Sequence, residues 1–225
     1  MLAPLALIAA LLSAVAAWRR SHRRRDLPAH AVIVSPPRST VVARDRGVRS
    51  VQSAKLTLDE ADLTRLWTPA NLENLGRTYW RFLSRVTLGL IRVIYDEHSR
   101  SVVLFARPLT LLRFDVPDYR LEHDHGNVTW RIRDGLLVAR AGRGSGWLSL
   151  DVTRIDCDDD VPSGRSAIKI EVEVANFYPS IAAGFSTPVY EMTQSFVHVL
   201  VTHAFLRSLA NLRLATSRVG SLAVR

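Results

Sequence analysis

The side chains best suited to chemistry in this 225-residue chain are few and scattered. His198 and His203 lie five apart in "QSFVHVLVTHAFL", a stretch of helical spacing. On a helix that offset turns them about 140° from each other, so they cannot grip one metal ion together. His203 falls on the apolar stripe and is a candidate general acid or base; its plainer reading is a buried, hydrogen-bonded histidine. Tyr119 and Arg92, if the latter points inward, are the other candidates for assisting enolisation of a carbonyl substrate. "EHDHG" (122–126) sets His123 and His125 at alternate positions, as two strand ligands of a metal would be, but no third ligand accompanies them and the segment reads as a solvated turn.

Other motifs fail on context. "DCDDD" (156–160) lacks the alternating oxygens, glycine and closing glutamate of a calcium loop, and "GRGSG" (142–146) precedes a strand where a phosphate loop needs a helix. There is no G-x-S-x-G, and Cys157, the single cysteine, sits among acids that disfavour its thiolate. A lone cysteine also closes no disulfide within the chain. No metal and no cofactor is expected.

The elements that would hold these residues follow from periodicity. "SVQSAKLTL" alternates as a strand and ends at Asp59, a candidate helix cap; Pro69 opens a second helix carrying Leu72, Leu75 and Tyr79. The period then becomes two, in "VTLGLIRVIYD", "SVVLFARP", "LTLLRFDV", "NVTWRIR", "LLVARA", "WLSLDVTRI" and "AIKIEVEVANFY". Short turns rich in Gly, Pro, Asp and Ser separate them, as in an antiparallel meander. Ile168, Ile170, Val172 and Val174 face one way and Lys169, Glu171 and Glu173 the other, so the sheet has one wet face and one that must be covered. The cover is a helix capped by Thr187 and running to about Leu212, with Met192, Phe196, Val199, His203, Leu206 and Ala210 in one stripe. Its apolar arc is too broad for a flat seam and suits a concave sheet.

Charge is concentrated at the start. The net charge is +9, and the stretch from Trp18 to Lys55 holds ten basic residues against Asp26 and Asp45, leaving about +1 for the rest. The folded part therefore shows no basic footprint for nucleic acid. "MLAPLALIAALLSAVAAW" has no charged side chain, and as a helix it spans about 27 Å, close to a thin hydrocarbon core. Leu2, Leu5, Leu7, Ile8, Leu11 and Leu12 would contact lipid, while Arg19, Arg20, Arg23, Arg24 and Arg25 would meet headgroups and hold that flank in the cytoplasm. The expectation is a single-pass membrane protein with a cytoplasmic C-terminal domain; the alternative is a signal peptide cleaved near Ala16, giving a secreted protein. The expected division is an anchor at 1–18, a basic tether at 19–47 with "AVIV" docking on the domain, the domain at 48–214 and a tail at 215–225.

The order strand, two short helices, about six antiparallel strands and a long C-terminal helix resembles the helix-grip fold of the START and Bet v 1-like superfamily, which includes polyketide cyclases and dehydrases. "LTRLWTPANLENLGRTYW" is similar to the helix segment of that superfamily in which a "DPENLPxW"-like turn precedes the second strand, with Thr68 where aspartate is expected. The resemblance covers 48–214 and implies an α+β fold with a curved sheet of about seven strands. It also implies a cavity between sheet and C-terminal helix for a hydrophobic small molecule or lipid. Trp67, Trp80, Trp130 and Tyr178, with Tyr190, Met192, Phe196, Val199 and His203 of the helix, are the lining candidates; aromatic residues there also serve as plain core. The function expected is membrane-tethered binding of an apolar molecule. A cyclase or dehydratase and a scaffold with a filled interior are the alternatives.

Overall fold

The computed structural model describes residues 27–34, 39–45, 47–105, 109–155, 161–178 and 199–216. The expected anchor with Leu2, Leu5, Leu7, Ile8, Leu11 and Leu12 lies outside the described residues, as do Arg19, Arg20, Arg23, Arg24, Arg25, Cys157, Tyr190, Met192, Phe196 and His198. Among the described residues no helix is long and apolar enough to cross a membrane.

Alternation of side chains builds the framework. In β3 (Val48–Asp59) the even-numbered Ser50, Gln52, Ala54, Leu56 and Leu58 are buried, so one face of the strand turns inward over its whole length. β10 (Arg165–Phe177) lies antiparallel beside it and buries Ile168, Ile170 and Val172, while Lys169 and Glu171 form an ion pair of 2.7 Å on the other face. Seven further strands complete the antiparallel meander or extend its edge: β4 (Ile91–Tyr95), β5 (Ser99–Leu104), β6 (Thr110–Asp115), β8 (His125–Asp134) and β9 (Gly146–Ile155) on the main path, with β1 (His30–Ile33) and β2 (Thr40–Val42) against β3. A short β7 (Asp118–Leu121) pairs with β8 and brings the sheet to ten strands, in the order β1-β3-β10-β9-β8-β6-β5-β4.

Ten strands exceed the seven expected for identifiable reasons. The stretch expected to be a tether supplies β1 and β2, and β7 is too short to show a period. "LLVARA", expected to be a strand, is a turn entered through Gly135 at φ 143°, where a Cβ would come within 2.2 Å of the Leu111 carbonyl, and it ends in a tight helical turn at Arg140–Gly142.

Two helices follow β3. α1 (Glu60–Leu66) starts after Asp59, whose side chain makes no capping bond; its Oδ1 pairs instead with Arg165 Nε at 3.2 Å. α2 (Pro69–Val86) is capped by Thr68, whose Oγ1 accepts from Asn71 N at 3.2 Å, so threonine does the work of the aspartate expected there. At 18 residues α2 is not the short helix expected. Gly76 lets it close on the sheet, since a Cβ there would stand 3.0 Å from the Trp130 ring.

Residues 199–208 form the described part of the C-terminal helix, α3, followed by a tight turn at Leu209–Asn211. Val201, Thr202, Ala204, Phe205, Leu206, Leu209 and Ala210 are all buried, the broad arc its sequence requires. Phe205 meets Tyr79 edge-on at 5.1 Å, and Trp80 meets Trp130 and Phe114 at 5.3 Å each, so aromatic rings fill the middle of the layer between helices and sheet. The element sequence β3, α1, α2, antiparallel strands, α3 is the one the helix-grip resemblance implies.

Candidate functional site

Space remains at one end of that layer. Leu56 and Leu58 of β3 and Ile168 and Ile170 of β10 form the floor of a cleft. α1 and the start of α2 wall it with Leu63, Leu66, Leu72 and Leu75, and Leu209, Leu212 and Leu214 close the far side. Its cavity volume is about 80 Å3, and it opens to solvent. Leu121 and Gly126 of the β7–β8 hairpin form its lip, and a Cβ on Gly126 would stand 3.1 Å from Leu121 and 3.4 Å from Leu72. The glycine thus keeps that lip open.

The polar groups of the lining are already engaged. Trp67 Nε1 donates to the Glu122 carbonyl at 3.0 Å, tying the end of α1 to the hairpin, and the Arg154 guanidinium lies 4.7 Å over the Trp67 ring. Thr68 caps α2, and Asn71 Nδ2 donates to the Arg65 carbonyl at 3.3 Å. Among the described residues no lining side chain is titratable. Such a surface holds a guest by shape and by removing apolar area from water, at about 25 cal/mol per Å2.

The sequence-predicted residues divide. Trp67 borders the cleft. Trp80 and Trp130 do not: they are 3% and 1% exposed and pack on each other as core. Tyr178 lies elsewhere, donating from its hydroxyl to Asp45 Oδ2 at 2.7 Å, a bond that lowers the Asp45 pKa and raises that of Tyr178. Val199 is half-buried at the start of the described part of α3. Arg92 points outward, exposed on β4, with Nε donating to the Gly89 carbonyl at 3.1 Å. Tyr119 sits on β7 near Glu73, Tyr95 and Arg100, where burial first and then Glu73 raise its pKa above the ordinary 10.0, so it stays a phenol at neutral pH.

His203 is tied into a polar cluster on β3. Gln52, fully buried, donates from Nε2 to Ser39 Oγ at 2.7 Å and to Ser50 Oγ at 3.2 Å, and Ser50 in turn bonds Thr40 at 2.9 Å. That leaves Gln52 Oε1 to accept, and His203 Nε2 lies 2.7 Å from it, which places the proton of the imidazole on Nε2. His203, Tyr119 and Arg92 occupy three separate elements, α3, β7 and β4. Among the described residues no three metal-ligating side chains converge; His125 lies 3.3 Å from Asp151, while His123 is exposed.

Sequence reasoning missed most of the cleft. Leu63 and Leu66 could have been found from their spacing on α1, whereas Leu212 and Leu214 follow the helix and show no period.

No protein-family model matches the chain, and no curated protein sequence is similar to it. Among solved structures, a conserved protein from Geobacillus kaustophilus is 9% identical, with 71% of this chain and 95% of that one covered at a TM-score of 0.32. Ara h 8.0201 is 12% identical, with 73% and 100% covered at a TM-score of 0.29. Norcoclaurine synthase from Thalictrum flavum is 13% identical, with 73% and 90% covered at a TM-score of 0.23.

Proposed function

We infer that this chain binds a hydrophobic small molecule or lipid in the cleft between β3, β10, α1 and α2, without covalent chemistry. The observation that carries the reading is a cleft beyond the aromatic core, lined mainly by leucine and isoleucine with no titratable side chain among the described residues. The candidate acid–base residues lie outside that lining, so a cyclase or dehydratase draws no support from it. Residues 1–18 are proposed to hold the protein in a membrane, with the domain on the cytoplasmic side, on the strength of their apolar run and the arginines that follow.

Native mass spectrometry of the full chain tests the binding. The expected result is a co-purifying apolar molecule, or saturable uptake of a fluorescent fatty acid, that Leu121→Trp at the lip abolishes. Uptake undiminished in that variant overturns the reading. A reporter fused after Arg225 that is active only outside the cytoplasm overturns the topology.

A further inference from the structure

The charges of the folded part are polarised along the strands. Among the described residues, the connections at one end of the strands, 43–45 and 135–145, carry Arg44, Arg140 and Arg143 against a single acid, Asp45. Among the described residues, the turns directed the other way carry Asp96, Glu97, Glu122 and Asp124, with no lysine or arginine. The basic and the acidic connections thus stand at opposite ends of the sheet.

The basic end is also where apolar side chains meet water. Leu88 is 77% exposed, Phe105 59%, Leu136 55% and Leu109 45%. Register places them side by side: Ile91 pairs with Leu104, Phe105 N donates to the Leu90 carbonyl at 2.8 Å, Val103 pairs with Thr110, and Leu136 N donates to the Thr110 carbonyl at 3.0 Å. Leu88 and Phe105 hold φ of 54° and 62°, the left-handed region that leucine and phenylalanine rarely enter. Strained backbone that displays two large apolar side chains to solvent is a feature to be explained by a partner.

We propose that this end of the sheet docks on a bilayer containing anionic phospholipid, with Leu88, Phe105, Leu109 and Leu136 entering the interface and the arginines meeting headgroup phosphates. Charge complementarity selects the occupant: the connections carry arginines in excess, and each one near an anionic surface strengthens binding about fivefold. The proposal does not depend on the cleft, which lies at the other end. Leu27 also enters at that other end, because Ala29 N donates to the Ala210 carbonyl and His30 pairs with Thr57 near the end of β3. Along β3 the two ends are about 40 Å apart, whereas residues 19–26 reach about 28 Å when extended. A chain held by residues 1–18 therefore reaches its own bilayer with this end only when the strands tilt well away from the membrane normal; upright, it presents that end to an apposed bilayer.

The test uses the full chain reconstituted in phosphatidylcholine carrier vesicles, or free in solution where it stays soluble, mixed with target vesicles of phosphatidylcholine with or without phosphatidylserine. Co-flotation is expected only with the phosphatidylserine targets and should fall as salt is raised. Arg140→Glu with Arg143→Glu should weaken capture by about twentyfold or more, and Leu88→Ser with Phe105→Ser should abolish it. Arg140→Lys with Arg143→Lys should retain it, which separates charge from local folding. Equal capture of both targets, or wild-type capture by the glutamate and serine variants, overturns the proposal. Fatty-acid uptake measured on the same variants should be unchanged, so failure of this surface and failure of the cleft are read separately.

Discussion

Thr202 is fully buried on α3, and among the described residues its hydroxyl has no hydrogen-bond partner. An unsatisfied buried hydroxyl costs about 1–3 kcal/mol, and valine has nearly the same shape. Thr202→Val should therefore raise stability by about 1 kcal/mol in urea denaturation; a loss would mean that the hydroxyl has an undetected partner. The neighbouring His203 shows what a residue-level reading can reach. Its place on the buried stripe is visible in the spacing of the helix, and its hydrogen-bonded state is the plainer of the two readings that spacing allowed. Its partner is not visible, because Gln52 lies 151 positions away and only the pairing of β3 beneath α3 brings the two together.

At the scale of elements, the N-terminal strands change what the domain is. β1 and β2 cover the outer edge of β3, and Ser39, just before β2, accepts one of the two hydrogen bonds that Gln52 donates to serine hydroxyls. A chain begun at Gly47 leaves that edge open and a buried amide short of a partner. It should lose about 3 kcal/mol or more of stability and associate at high concentration, as urea denaturation and size-exclusion chromatography would report. An unchanged midpoint would show that the two strands are ornamental. The segment is short and interrupted by Pro36-Pro37, so its strands carry almost no period of their own and are made by the edge they meet. "LLVARA" fails in the opposite sense: its residue types suit a strand, but the backbone at Gly135 turns it out of the sheet.

For the whole molecule, the distribution of filled and empty space decides function. The aromatic cluster of Tyr79, Trp80, Phe114, Trp130 and Phe205 makes most of the layer a solid core, and the cleft survives only beyond it. A guest that binds the folded state alone stabilises it by mass action, by about 2.7 kcal/mol at a concentration one hundred times its Kd. An apolar probe should then raise the Tm of the parent protein in a concentration-dependent way and leave that of Leu121→Trp unmoved. A rise of equal size in both would place the probe elsewhere.

The amino-acid sequence by itself determined the class of the fold, the order of strand, helices, meander and covering helix, and the wet and dry faces of β10. These follow from periodicities within a dozen residues, which solvation of individual side chains enforces wherever the strand or helix ends up. Tertiary structure alone decided that Trp80 and Trp130 close the centre, that leucines from five separate segments leave a cleft at one end, and that the basic and acidic connections among the described residues lie at opposite poles. Each of these depends on which distant residues come to share a volume or a rim, and chain order carries no record of that until the strands have paired.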